Sequence, residues 1–124
     1  MGLNSVKPLS NNTVLTSTTK WYKSMDAHSI TACGQILVCS LRFMNNQYCP
    51  HNFSHQVRLP IIALVKHNDP NILETMKDWM VEKGYVFQDD FMIGLFNSAE
   101  DEFMCLYASF RTQEMAVLFK LVWG

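Results

Sequence analysis

The sequence predicts an α+β fold of the ferredoxin-like kind, a βαββαβ sheet with its helices on one face and an N-terminal extension of strand or helix. Three observations predict it. The stretch PIIALVKHNDPNILETMKDWMVEKGY runs from an apolar segment through a turn into an amphipathic helix that stops at Gly84. Two apolar runs then flank a short acidic turn, which is a hairpin signal. A second helix and an apolar triplet close the chain. From Ile61 onward the order is strand, helix, strand, strand, helix, strand, the split βαβ plan. With 124 residues the chain has room for one domain with a real core. It divides into an extended arm or mobile tail at residues 1–20 and a single α+β domain at 21–124.

Residues 1–20 are rich in Ser, Thr and Asn, and Trp21 and Tyr22 are the first side chains heavy enough to anchor them. The run QILVCSLRF inside residues 28–44 has the apolar density of a buried strand, and Gly34 before it disfavours a helix. Ile30, Cys33, Leu37, Leu41 and Met44 also share one helical face, so period alone leaves both readings open and strand is the one adopted. NNQYCPHNFSHQ at residues 45–56 reads as a loop.

Val57 to Val65 reads as a strand with Pro60 at its start or at an edge. Ile61, Ala63 and Val65 would point one way and Ile62 and Leu64 the other. Both faces are then apolar, which requires a cover on both sides. Asn68 or Asp69 caps the next helix and Pro70 lies in its first turn, where a missing N–H costs nothing. Ile72, Leu73, Met76, Trp79 and Met80 form its apolar stripe, and Gly84 supplies the left-handed end.

Tyr85–Phe96 and Phe103–Phe110 read as the hairpin strands around the turn Asn97–Glu102. Thr112 caps a short helix with Glu114 in its first turn, and Leu121-Val122-Trp123 reads as the last strand. Both helices fall on one sheet face. The other face is left to residues 21–48 or to association.

Composition narrows the function classes. Hydrophobic residues make up 48% and charged residues 17%, a globular balance, with eight Met, eight Phe and three Trp. Ten basic residues against eleven acidic ones give a net charge of −1 with no basic stripe, which disfavours nucleic acid. No apolar run approaches the roughly 18 residues of a membrane span, and the N-terminus has no signal-peptide core. Cys33, Cys39, Cys49 and Cys105 then read as reduced thiols in a cytosolic setting.

The ending FRTQEMAVLFKLVWG carries Phe110, Arg111, Ala116, Phe119, Lys120, Leu121, Trp123 and Gly124 in a recurrent order. It resembles the close of many small bacteriophage proteins: an aromatic strand, a polar turn, a short helix with Ala then Phe, and a terminal Lys-Leu-x-Trp-Gly. The resemblance covers about 15 residues closely and the last 65 loosely. It implies a phage origin and a ferredoxin-like core, and it brings no catalytic residues. Residues 1–56 depart from the pattern.

Among candidate sites, Cys49, His51 and His55, with Cys39 upstream, are ligand types that zinc prefers, and zinc is the one cofactor suggested. The paired Cys knuckles of a strong zinc signature are missing, so a plain polar loop with no cofactor is the reading adopted and a zinc site the alternative. Cys49 or Cys33 beside His51, His55 or His67 could make a nucleophile, with nothing in the spacing to fix the geometry. Asp89-Asp90 would point to opposite strand faces, Glu100-Asp101-Glu102 is a solvated hairpin tip, and Lys66–Asp69 sits at a helix start whose amides Asp69 itself would occupy. Phe91, Phe103, Tyr107 and Phe110 suit a stacking platform or, more plainly, a core; the RNA-binding sequence pattern is missing.

These readings lead to a non-enzymatic phage accessory or host-takeover protein in the host cytoplasm. It would act by binding or inhibiting another protein, or by self-association. Its contact surface would lie on the second sheet face, at Ile62, Leu64, Phe91 and Tyr107. One alternative is a virion component that uses residues 1–20 as an arm. The other is a small oligomeric enzyme for a nucleotide-like metabolite, with Tyr85, Tyr107, Glu82 and Glu114 between subunits.

Overall fold

Asp26 starts the first long helix, α1 (Ala27–Asn45): its carboxylate accepts the Ser29 amide at 2.7 Å and the Ser29 hydroxyl at 3.2 Å. Those bonds, the amide first, hold the Asp26 carboxyl below its ordinary range. Residues 28–44 are therefore helical and not the strand expected from their apolar density. Cys33, Ile36 and Leu37 are buried along one face, with Met44 packed at its end. The computed structural model describes residues 6–8, 25–45, 53–98 and 104–124. Most of the arm assigned to residues 1–20, and the cysteine–histidine loop up to residue 52, lie outside these.

After α1 come β2 (His55–Pro60), the short helix α2 (Ile61–Leu64) with a 3₁₀ turn at Val65–His67, α3 (Ile72–Glu82), β3 (Phe91–Ser98), β4 (Cys105–Phe110) and α4 (Gln113–Trp123). A three-residue strand, β1 (Val6–Pro8), joins them from the N-terminal side. The sheet order is β1-β3-β4-β2, with all three pairings antiparallel. The fold is thus α+β around an antiparallel sheet, while the described elements do not follow a βαββαβ order.

Two differences from that order have local causes. The expected strand over Ile61–Val65 stops at Pro60, which holds an extended backbone (φ −60°, ψ 146°), and the Ile61 amide makes a last ladder bond to Met104 O at 3.0 Å. The chain then turns helical, and Ile61 and Leu64, three residues apart, both enter the core. The expected closing strand Leu121–Trp123 is the last turn of α4. Met115, Ala116, Phe119 and Trp123 make a helical stripe that carries the helix through to Gly124.

Two helix-end signals behave as the sequence indicates, and two element starts are displaced. The Thr112 hydroxyl accepts the Met115 amide at 3.3 Å and caps α4. Gly84, at φ 98°, ends α3, and the Tyr85 amide returns to Met80 O as a Schellman closure requires. The cap of α3 falls on Asn71, later than expected. Asp69 sits just outside, accepting the Asn71 amide at 2.9 Å and the Thr75 hydroxyl at 2.5 Å. β3 begins at Phe91 and not at Tyr85. Residues 86–90 form a loop instead, with Gln88 at φ 77° and the Asp90 carboxylate accepting the Val86 amide at 2.8 Å.

The helices share one sheet face, as expected. Val57, Leu59, Phe91, Ile93, Leu95, Leu106, Ala108 and Phe110 point into a core closed by α1–α4. Phe110 lies between Phe91 and Phe119, its ring centroid 6.5 Å and 5.2 Å from theirs. The alternate residues Met92, Phe96, Cys105 and Tyr107 form a second buried cluster on the opposite face, against Met44, Phe53 and Phe87. Met44 belongs to both, and its sulfur takes the Leu95 amide at 3.2 Å beyond the end of β1. Among the described residues no helix is long and apolar enough to cross a membrane.

Candidate functional site

The four residues expected to share a binding face do not share one. Ile62 is exposed on α2, Leu64 is buried beneath it, Phe91 lies in the helix-covered core, and Tyr107 lies in the second cluster. A single residue of this set can therefore meet a partner. The slip follows from the secondary structure: a helix separates Ile62 from Leu64 by about 200° of rotation, whereas a strand would align them. The second sheet face is itself closed, with Phe96 and Cys105 almost wholly out of solvent.

Of the suggested zinc ligands, Cys49 and His51 lie outside the described residues. Cys39 is half-buried and lines a crevice between α1 and α3 with Ser40, Phe43, Leu73 and Glu74, while His55 opens β2 opposite Phe110. No three His, Cys, Asp or Glu side chains come together among the described residues. Cys33 is wholly buried, and that burial pushes its thiol up to about 11, so it is a poor nucleophile at neutral pH.

The acidic pair separates. Asp89 is exposed, whereas Asp90 is buried and pairs with Arg111 at 2.5 Å while tying down its own loop. Its role is structural. Tyr85 is half-buried after α3, and Glu82 and Glu114 are exposed on separate helices.

A polar cleft of about 210 Å³ lies where α1 crosses the turn into α3, lined by His28, Thr31 and Gln35 on one side and Asn68, Asp69 and Pro70 on the other. Asp69 is already engaged by Asn71 and Thr75, and the Thr31 hydroxyl donates to Ala27 O. Ligand pockets usually begin near about 300 Å³, so this cleft suits a solute smaller than a typical metabolite.

The feature that stands out lies on the outer side of α4. Leu121 is 79% exposed and Val117, one turn before it on the same side, 50%, while Val122, 47% exposed, lies about 100° further round the helix. The turn after α2 is held against this end of α4. Lys66 Nζ donates to Gly124 O at 3.2 Å, and the His67 ring meets Trp123 edge-on at 5.2 Å. Trp123 in turn packs at 90° on Trp79. The ridge therefore stands on a fixed base, with Lys66 and Lys120 exposed beside it. A strand over Leu121–Trp123 would set Leu121 and Val122 in a sheet, whereas continuing the stripe from Met115 and Phe119 in steps of three and four turns them outward. Compared with known proteins, the chain matches no family model, no curated protein and no solved structure.

Proposed function

We propose that this chain is a non-enzymatic bacteriophage accessory protein that works by protein–protein association, with the α4 ridge as its contact surface. The observation that carries this is the ridge itself, with Leu121 79% exposed and Val117 half-exposed one turn away on the same side of α4. Single exposed apolar residues need no explanation, but a grouped set on one helix is the usual mark of an interaction site. The resemblance of the ending Phe110–Gly124 to phage proteins supports a bacterial host cytoplasm as the setting and a host protein as a target of binding or inhibition. A photo-crosslinking side chain at Val117, in protein made inside a bacterial host, tests the reading. A discrete protein adduct that disappears with Leu121→Glu is expected. Diffuse labelling that ignores Leu121→Glu would overturn it.

One observation favours a second reading, a virion component with an N-terminal arm. Val6–Pro8 adds to the outer edge of β3 with Val6 opposite Ser98 and Pro8 opposite Phe96, the kind of pairing an arm would make on a neighbour's sheet. Mass spectrometry of purified particles separates the two readings, because this one requires the chain in the particle.

A further inference from the structure

Two residues other than glycine hold a positive φ among the described residues. Asn68, at 51°, is a residue type that visits the left-handed region routinely; Gln88, at 77°, is not. The Gln88 side chain is exposed, so its own packing does not impose that conformation. Its neighbours impose it. Phe87 and Asp90 turn inward on either side, while Val86, Gln88 and Asp89 are exposed. The Phe87 ring is wedged where three elements meet. It stands edge-on to Phe43 of α1 at 6.1 Å and to Phe91 of β3 at 5.2 Å, and Lys77 Nζ of α3 lies 5.5 Å from its centre. It packs against both the helix-covered core and the second cluster. The Asp90 carboxylate takes the Val86 amide at 2.8 Å, the Asp90 amide donates to Val86 O at 2.8 Å, and the Gln88 amide donates to Phe91 O at 2.9 Å. Gly84, with a φ of 98°, marks one end of this stretch. At the other end Asp90 is fixed to the sheet, its carbonyl accepting the Arg111 amide at 2.8 Å. Three amide bonds and one aromatic plug therefore hold a short segment shut over a strained residue.

We infer that residues 86–89 form a strap that opens as one unit while the rest of the fold stays closed, withdrawing Phe87 from Phe43 and Phe91 about hinges at Gly84 and Asp90. The left-handed Gln88 backbone is strain that opening releases, so the closed strap is set against itself and its opening needs less free energy than global unfolding. Opening parts α1 and α3 from the start of β3 at the one ring that touches all three. It bares the aromatic seam between the two cores, a surface that the closed molecule conceals. This device is independent of the association proposed for α4, because none of its residues lies on that helix.

Native-state hydrogen exchange of the full chain tests this, because the three bonded amides of the strap, those of Val86, Gln88 and Asp90, are its own probes. They are expected to share one opening equilibrium, at least about a hundredfold more open than the amides of Leu106 and Ala108 in the interior strand β4. That opening should depend little on urea, since a local opening exposes little surface. Gln88→Gly removes the strain without touching a packed side chain and should lower the open population by about threefold or more. Gln88→Val adds a branched side chain to the same backbone and should raise it by about fivefold or more. Phe87→Ala takes out the plug and leaves Asp90 in place, and it should raise the opening by more than about tenfold. Circular dichroism checks that each variant folds, and the two Gln88 variants, altered at an exposed position, carry the test if Phe87→Ala does not fold. Strap amides that exchange with the rate and urea dependence of Leu106, three unrelated opening equilibria, or an opening indifferent to both Gln88 variants would each overturn the inference.

Discussion

Replacing Asp90 should destabilise the protein in a graded way that identifies which of its bonds matters. Its carboxylate takes the Val86 amide at 2.8 Å and Arg111 Nη2 at 2.5 Å, and its side chain is 11% exposed against 63% for Arg111. A hydrogen bond to a buried charged group contributes about 1.5–3 kcal/mol, and an ion pair with a largely exposed partner about 0.5 kcal/mol once solvent screening is allowed for. Asp90→Ala removes both and should cost about 2–3.5 kcal/mol. Asp90→Asn keeps an acceptor for the Val86 amide but loses the charge, at about 1–1.5 kcal/mol. Arg111→Ala removes only the screened pair and should cost less than about 1 kcal/mol. Urea unfolding of the three variants and of Asp90→Ala with Arg111→Ala gives each value and the coupling between the two residues. Hydrogen exchange at the Val86 amide should quicken with Asp90→Ala and stay near wild type with Arg111→Ala. Equal costs for Asp90→Ala and Arg111→Ala would refute the reasoning, because the surface pair and not the loop tether would then be the source of stability.

Leu64→Ala should cost about 2–5 kcal/mol while Ile62→Ala stays within about 0.5 kcal/mol, since one side chain is enclosed and the other is half in water. Thermal or chemical unfolding reads both, and equal costs would argue for a strand covered on both faces. Gly84→Ala should destabilise by about 1–2 kcal/mol although no atom lies within 4 Å of the added methyl, because the penalty is the left-handed backbone itself. Burial raises the Cys33 thiol from 9.0 to about 11, so the folded state favours the protonated form; stability is intact below pH 9 and is lost as pH rises toward 11. Urea midpoints should therefore fall over that window in wild type and fall less in Cys33→Ala, and maleimide on the folded protein should label Cys39 before Cys33 or Cys105.

The parts of the fold that could be read from sequence are those where a local signal had a single structural meaning. Gly84 after the stripe Ile72–Met80, Thr112 before Met115, and the two apolar runs around residues 97–102 each pointed one way. The failures are runs whose apolar residues satisfy two periods at once. Ile61 to Val65 alternates on a strand and also places Ile61 and Leu64 on one helical face, and Pro60 ends the strand where it was expected to begin one. Over residues 28–44 the deciding signal is Asp26 with Ser29 three residues on, a cap just upstream of the apolar run, whereas the strand expectation rested on apolar density and Gly34. The candidate binding face failed with the secondary structure it rested on. Leu64, Phe91 and Tyr107 are all interior, and the exposed ridge was hidden in a strand assigned to Leu121–Trp123.

The position of the ridge separates what folds the chain from what the chain displays. Helix α4 is held down by Met115, Ala116, Phe119 and Trp123, and it would stay in place with polar residues at 117 and 121. Full burial of a large apolar side chain is worth about 1.5–3 kcal/mol, so Leu121 adds little of that kind to the fold of a single copy and the half-exposed Val117 and Val122 only part of it. Nor does the sheet need them: all four helices already cover one of its faces, and Met92, Phe96, Cys105 and Tyr107 are enclosed on the other. Exposed apolar side chains also occur elsewhere, at Val38, Val81 and Val86, whereas Val117 and Leu121 stand one turn apart on the same side of α4, on a rigid base. A surface needed only for solubility would carry charge at 117 and 121. The proposed association would give Val117 and Leu121 the burial that folding leaves unrealised, and Leu121 is where that difference is largest.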